Sequence, residues 1–442
     1  MIASQFDVEY RRDGSVHDER QVAALLNGLN DASDFLVLAH GWNNDMADAR
    51  GLYDAVIASL TSLPQPSSGA GSRIAVMRAF WPSKKFAEQE LIPGGGVASA
   101  TVEDEAALRA ALEGLKEDPD RLGDAAVDPV RAASIDKAIA LVDTLEDSDS
   151  ARHEFVLRIR SVLNPDDAHD DDASREFFEL EPEELFERFS QEVPVELQVA
   201  AGGAANVVGG AAFLGDFLSG MRSGARRIAN YATYYQMKTR AGTVGKSGVA
   251  TTLARVRTAR PTLPMHLVGH SFGARLVTAA AATIAPDANA GPVTLTLLQA
   301  AFSHNGLAKG FDEKRTRNGA FRTILQDKRI SGPIVITHTK NDVALGIAYP
   351  LASRIAKDQA AALGDKDDPY GGLGRNGAQH TPEVSADEFE LRDAGGPPYG
   401  FVPGHVYNLN ADALISGHGD VRSVPVARVI ADVLTAWQRH PA

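Results

Sequence analysis

The sequence predicts an α/β protein organised around a serine at a strand-to-helix turn. Three observations carry this. Short apolar runs alternate with helical stretches through most of the 442 residues. One such run, Met265-His266-Leu267-Val268, follows Pro261 and Pro264 and enters Gly269-His270-Ser271-Phe272-Gly273. An earlier run, Asp34–Ala39, ends in His40-Gly41-Trp42. Period-free apolar runs of this length, bounded by turn residues, read as strands buried on both faces.

Gly-x-Ser-x-Gly is a weak pattern in a chain with 40 glycines. Its context makes it informative, because the Ala-rich residues 274–285 that follow hold no helix breaker. A strand, a tight turn carrying serine and a helix form a nucleophile elbow, where side chains at the flanking positions collide with the strand or helix. Gly269 and Gly273 remove them. The Phe272 amide then lies at a helix start, where partial positive charge helps hold an oxyanion. The plainer alternative is that Ser271 only caps the helix.

Taken from the start, residues 1–14 are polar, residues 21–29 read as a short helix, and Asp34–Ala39 is the first strand. Gly41 after that strand lets backbone amides approach a substrate oxygen, so the Trp42 amide is the expected second oxyanion donor beside Phe272. His40, Gly41 and His270 are the expected substrate-binding neighbours. The alternative is a simple turn, with Asn43 or Asn44 capping a helix over 47–60. After a Pro-, Ser- and Gly-rich loop at 64–71, residues 73–81 form the next strand, closed by Pro82. In plain strand–helix alternation the elbow strand comes one helix later. Instead about 180 residues intervene, so an insertion is expected over 83–223, with core segments at 1–82 and 224–442.

Residues 102–163 of that insertion have helical Ala and Leu spacing. Over 166–196 acidic residues far outnumber Arg175 and Arg188, with Phe177, Phe178, Leu180, Leu185, Phe186 and Phe189 interleaved. This predicts amphipathic helices with an acidic solvated face. Asp170, Asp171 and Asp172 lack the alternating spacing of a calcium loop, so no metal site is expected. Residues 199–220, small and apolar, suit tight helix packing or peripheral contact with a membrane. Residues 231–256 read as the long helix before the elbow strand.

Beyond the elbow, strands are expected at Val293–Leu298, Ile334–His338 and 405–409, a helix at 344–357, a long loop at 364–403 and a final helix at Val424–Arg439. A serine hydroxyl needs a base whose other nitrogen a carboxylate holds. Of 12 histidines, His418 sits in the Gly-flanked loop Ser416-Gly417-His418-Gly419-Asp420 between the last strand and last helix; His405 opens that strand at the wrong end. Asp342, shortly past a late strand, is the expected acid, with Asp412 its rival.

Composition narrows the function. A net charge of −14 leaves no basic field for nucleic acid. No cysteine excludes disulfides, thiolate metal sites and a cysteine nucleophile. Residues 1–14 carry Asp7, Glu9, Arg11, Arg12 and Asp13, unlike a signal peptide, and no apolar stretch reads as a membrane span. A soluble cytoplasmic protein is expected.

The order Ser271, Asp342, His418, with His40-Gly41-Trp42, the Trp81-Pro82 strand end, Gly-His-Ser-Phe-Gly and Ser-Gly-His-Gly-Asp, resembles bacterial serine hydrolases of the α/β-hydrolase superfamily. The resemblance covers residues 30–82 and 225–440. It implies a mostly parallel, doubly wound sheet, a helical cap inserted early in the chain, and no cofactor. The implied activity is hydrolysis of carboxylic esters, small-molecule or lipid, of the carboxylesterase or lipase kind. A peptidase or amidase on the same three residues is the alternative enzyme. A silent scaffold binding a basic partner through the acidic cap is the alternative from another class.

Overall fold

The structure, a computed structural model, describes residues 2–42, 44–64, 73–83, 129–190, 221–342 and 370–439, with parts of 105–116. Eight strands form one sheet: β1 (Ile2–Glu9), β2 (Asp34–Ala39), β3 (Ile74–Phe80), β4 (Met265–His270), β5 (Val293–Leu298), β6 (Ile334–His338), β7 (Phe389–Glu390) and β8 (Val406–Asn410). Their order is β1-β3-β2-β4-β5-β6-β8-β7. Every neighbouring pair is parallel. The helices are α1 (Glu19–Gly28), α2 (Met46–Ser62), α3 (Pro129–Leu141), α4 (Asp149–Arg160), α5 (Ser174–Glu179), α6 (Pro182–Ser190), α7 (Met221–Thr243), α8 (Ala250–Ala259), α9 (Phe272–Ala281) and α10 (Val424–Arg439).

The strands β2 and β5 are buried along their whole length, as a parallel sheet covered on both faces requires. On one face α2 and α10 share an apolar cluster with Leu36, Leu38, Val76, Val268 and Val335. The helix α9 packs on β2, β4 and β5 from the other face, and against a π-helical stretch, Val244–Val249, that joins α7 to α8. Gly245 is needed there: a methyl group in its place would sit 2.2 Å from the Leu276 carbonyl oxygen and 2.9 Å from Ala279 Cβ. At the amino ends of the strands His266 bridges Thr294 Oγ1 at 2.9 Å and Asp34 Oδ1 at 3.3 Å.

Two compact units divide the chain. One comprises Met1–Ser83, Arg240–Leu345 and Gly372–Ala442 and holds the whole sheet; the other comprises Lys84–Thr239 and Gly346–Gly371. The second unit thus extends beyond the expected 83–223. Within the first, Arg240 Nη1 donates to the Pro82 carbonyl at 3.0 Å. Within the second, Phe177 meets Tyr231 with ring centroids 4.6 Å apart, and Phe155 meets Phe186 edge-on. Leu185, Phe186 and Phe189 are buried while Glu181, Glu183 and Glu187 face solvent. Asp172, considered above for a metal, pairs instead with the buried Lys238 ammonium at 2.5 Å.

Several elements depart from expectation. The polar N-terminal segment is a strand: β1 pairs with β3 along one side, and Ser4, Gln5, Asp7 and Glu9 interrupt its apolar positions, so no apolar run marks it. Asp7 meets Arg78 of the neighbouring strand at 2.5 Å. Asp45, not Asn43 or Asn44, caps α2, in a reciprocal capping box with Asp48. The expected helix at 344–357, the small-residue stretch 199–220, Asn43 and nearly all of the loop 64–71 lie outside the described residues. No described helix is long and apolar enough to cross a membrane.

One buried hydroxyl joins β3 to the end of β2. Tyr53 Oη accepts from the His40 amide at 2.8 Å and donates to the Ala79 carbonyl at 2.5 Å. Tyr53→Phe strands both backbone groups, and a loss of about 1–3 kcal/mol is expected, measured by urea unfolding.

Candidate active site

Ser271 follows β4 with φ 56° and ψ −123°, a left-handed conformation that costs a non-glycine residue about 1–3 kcal/mol. The contacts around it explain both flanking glycines. A methyl group at Gly269 would lie 2.3 Å from the Gly273 carbonyl oxygen, and one at Gly273 would lie 2.2 Å from that of Ala39. The Ser271 amide donates to the Leu298 carbonyl at 3.1 Å, while its own carbonyl accepts from the Ala274 and Ala301 amides at 3.0 and 3.1 Å. The hydroxyl makes no capping bond to α9. It meets His418 instead, which disposes of the helix-cap alternative.

His418 Nε2 lies 2.8 Å from Ser271 Oγ, and Nδ1 lies 2.7 Å from Asp342 Oδ2. A carboxylate only accepts, so Nδ1 carries the proton toward Asp342 and Nε2 accepts the serine O–H. Asp342, fully buried past the end of β6, is thus brought to a histidine 76 positions away. Asn341 Nδ2 ties the two loops by donating to the carbonyls of Asp412 and Ile415 at 2.9 and 2.8 Å. The rival acid, Asp412, accepts from Thr339 Oγ1 and the Lys340 amide, both at 2.9 Å, and so shapes the Asp342 loop. His405 is exposed at the start of β8. Burial alone would depress the His418 imidazole, but the Asp342 charge and hydrogen bond outweigh it and the net shift is upward from 6.5.

The β2 loop lies against the serine. A methyl group at Gly41 would come 2.7 Å from Ser271 Cβ and 3.2 Å from its Oγ. The Gly41 carbonyl accepts from Asn44 Nδ2 at 3.1 Å, and His40 Nδ1 stands 3.0 Å from it. A trans peptide points its N–H away from its C=O, so these contacts fix the direction of the Trp42 amide. The Trp42 and Phe272 rings pack 5.8 Å apart.

His40 is not placed where a substrate reaches it. The residue is 1% exposed, and its ring stacks on Trp81. Nε2 accepts from the Trp81 amide at 3.3 Å, and the Trp81 indole donates to the His40 carbonyl at 3.0 Å. Its role is to brace the Gly41 loop. His270, the other histidine expected to bind substrate, directs Nε2 to the His418 carbonyl at 2.8 Å.

Sequence reasoning treated Asn44 only as a helix cap and passed over Tyr53 and Gln299. Gln299 begins the arch over Ser271 after β5, with φ 40°, full burial, and no hydrogen-bond partner for either amide atom among the described residues. No sequence signal marks it. A cavity of about 310 Å³ lined by Leu253, Met265 and Val293 opens at the amino ends of β4 and β5, opposite the serine. No protein-family model, curated protein or solved structure matches this chain.

An activated hydroxyl beside directed backbone amides is suited to attack on a carbonyl carbon. Gly41→Ala is expected to abolish the reactivity of Ser271 toward a fluorophosphonate while the sheet still folds, as read by labelling and circular dichroism. Burial lowers His40 to about 4. Its proton is therefore bound in the unfolded chain first, and stability is lost as pH falls from 6.5 toward 4, by at most about 3 kcal/mol from this residue. Proton NMR should show His40 neutral from pH 8 to 5.

Proposed function

We propose that the protein is a serine hydrolase of the α/β-hydrolase type that cleaves carboxylic esters, with Ser271, His418 and Asp342 as its catalytic triad. The observation that carries the reading is the unbroken chain Asp342–His418–Ser271 ending on a serine held at positive φ. The order of the three residues along the chain, each beyond the carboxyl end of a strand, is that of the α/β-hydrolase architecture. The parallel sheet is compatible with it, and Lys84–Thr239, which belongs to a compact unit of its own, overlaps along the chain with the segment 83–223 that the reading takes as a cap.

In the first half-reaction Ser271 Oγ attacks the ester carbonyl carbon as His418 Nε2 takes its proton. Asp342 keeps the Nδ1 proton and favours the imidazolium that forms. The Trp42 and Phe272 amides receive the oxyanion, each donor being worth on the order of 3 kcal/mol of barrier. The C–O bond to the leaving alcohol breaks as His418 returns the proton to that oxygen. Water, deprotonated by His418, then releases the acid and restores Ser271. No step calls for a cofactor. The cysteine-free composition supports a cytoplasmic setting.

Fluorophosphonate labelling of wild type should vanish in Ser271→Ala and His418→Ala and survive in His405→Ala. Turnover of p-nitrophenyl acetate should fall on the order of 10⁴-fold or more in the first two. A wild type that neither labels nor turns over esters would sink the reading and favour a silent scaffold. Only neutral His418 accepts the serine proton, so kcat/KM should decline as pH falls, with a midpoint above 6.5. A series of p-nitrophenyl esters from acetate to palmitate reads whether lipid-like acyl chains are taken.

A further inference from the structure

His270 stands beside the nucleophile, but its bonds go elsewhere. Nε2 lies 2.8 Å from the backbone carbonyl oxygen of His418, and the two rings are 5.0 Å apart. A carbonyl only accepts, so Nε2 carries the proton and Nδ1 is a bare lone pair. Nδ1 is buried, has no hydrogen-bond partner among the described residues, and faces the Cα of Gly41, where a methyl group would approach it to 3.3 Å. The ring is thus wedged between the loop that bears the base and the loop that bears the Trp42 amide.

We infer that His270 is a positioning residue, whose Nε2–H anchors the main chain of His418 and holds the base in register with Ser271 and Asp342. The inference rests on the catalytic role proposed above for His418. Its physical basis is that the base sits outside regular secondary structure, between Gly417 and Gly419. Of the two bonds made by its ring, the one to Ser271 is broken in every turnover. The bond to His270 grips the backbone and persists through the reaction. It requires a proton on Nε2, which the neutral Nε2–H tautomer supplies. Burial first, then the charges of His418, Arg422 and His40, lower His270 to about 3, against the hydrogen bond to the His418 carbonyl, which acts upward.

The test uses the full chain with His270→Leu and His270→Gln, the second keeping an N–H donor. The rate of fluorophosphonate labelling is followed against pH. His270→Leu should label about ten- to a hundredfold more slowly, as a sub-ångström to 1 Å misplacement of a catalytic group does. Its acidic limb should also move down toward 6.5, because a slack imidazole loses the support of Asp342. His270→Gln should restore most of the rate and the limb. A folded His270→Leu protein with wild-type rate and limb overturns the inference while leaving the hydrolase reading intact. A second measurement needs no variant to fold and no activity: ¹⁵N spectra of the wild-type imidazoles, where His270 should be the Nε2–H tautomer and remain neutral at pH 5. The Nδ1–H tautomer, which leaves Nε2 without a proton to donate, overturns the inference even if wild type never labels.

Discussion

The left-handed backbone at Ser271 is the constraint on which the site depends. An L-residue avoids that conformation, and here three backbone hydrogen bonds impose it: one to Leu298 on β5, one from Ala301 in the arch that follows, and one from Ala274 in α9. The strand β4 lies between β2 and β5, so both walls around the turn are other strands' carboxyl ends. Gly273 touches the carbonyls of Ala39 and His40, and through that contact the β2 loop is seated against the serine. The same packing that forces the strain therefore delivers the loop carrying the Trp42 amide.

Charge is arranged as economically as backbone. Asp342 is enclosed, yet the imidazole that faces it is still one-fifth exposed, so positive charge forming on His418 meets both a carboxylate and water. His40 and His270, close by, are kept neutral. Three imidazoles within one loop cluster would repel one another if all were charged; burial of two reserves protonation for the third.

Much of the sheet is legible in the sequence. The strands β2, β4, β5 and β6 announce themselves because a strand covered on both faces is apolar at most positions, interrupted here by Asp34, histidines and threonines. β1 does not, since it pairs on one side and carries Ser4, Gln5, Asp7 and Glu9 among its eight residues; β7, two residues long, is too short to carry a pattern. Ser271 is marked by glycines that sterics demand, and His418 by its place in the chain. Asn44, Tyr53 and Gln299 are different. Tyr53 meets the His40 amide after β2 and the Ala79 carbonyl in β3. Asn44 turns back onto the carbonyls of Gly41 and Trp42 in its own loop, and the buried Gln299 amide has no partner among the described residues. None of these outcomes leaves a local sign in the sequence. His40, expected to touch substrate, is buried against Trp81 instead: being near the serine in space does not fix which way a ring turns.

The bond from Arg240 to the Pro82 carbonyl has a consequence for how the sheet is held. It fastens together the points at which the polypeptide leaves the sheet-bearing unit and re-enters it. Loop-closure entropy grows only logarithmically with length, and here the closure is made by a contact that does not depend on what lies between. The register of β2 on β4 is therefore set by residues that all lie outside Lys84–Thr239.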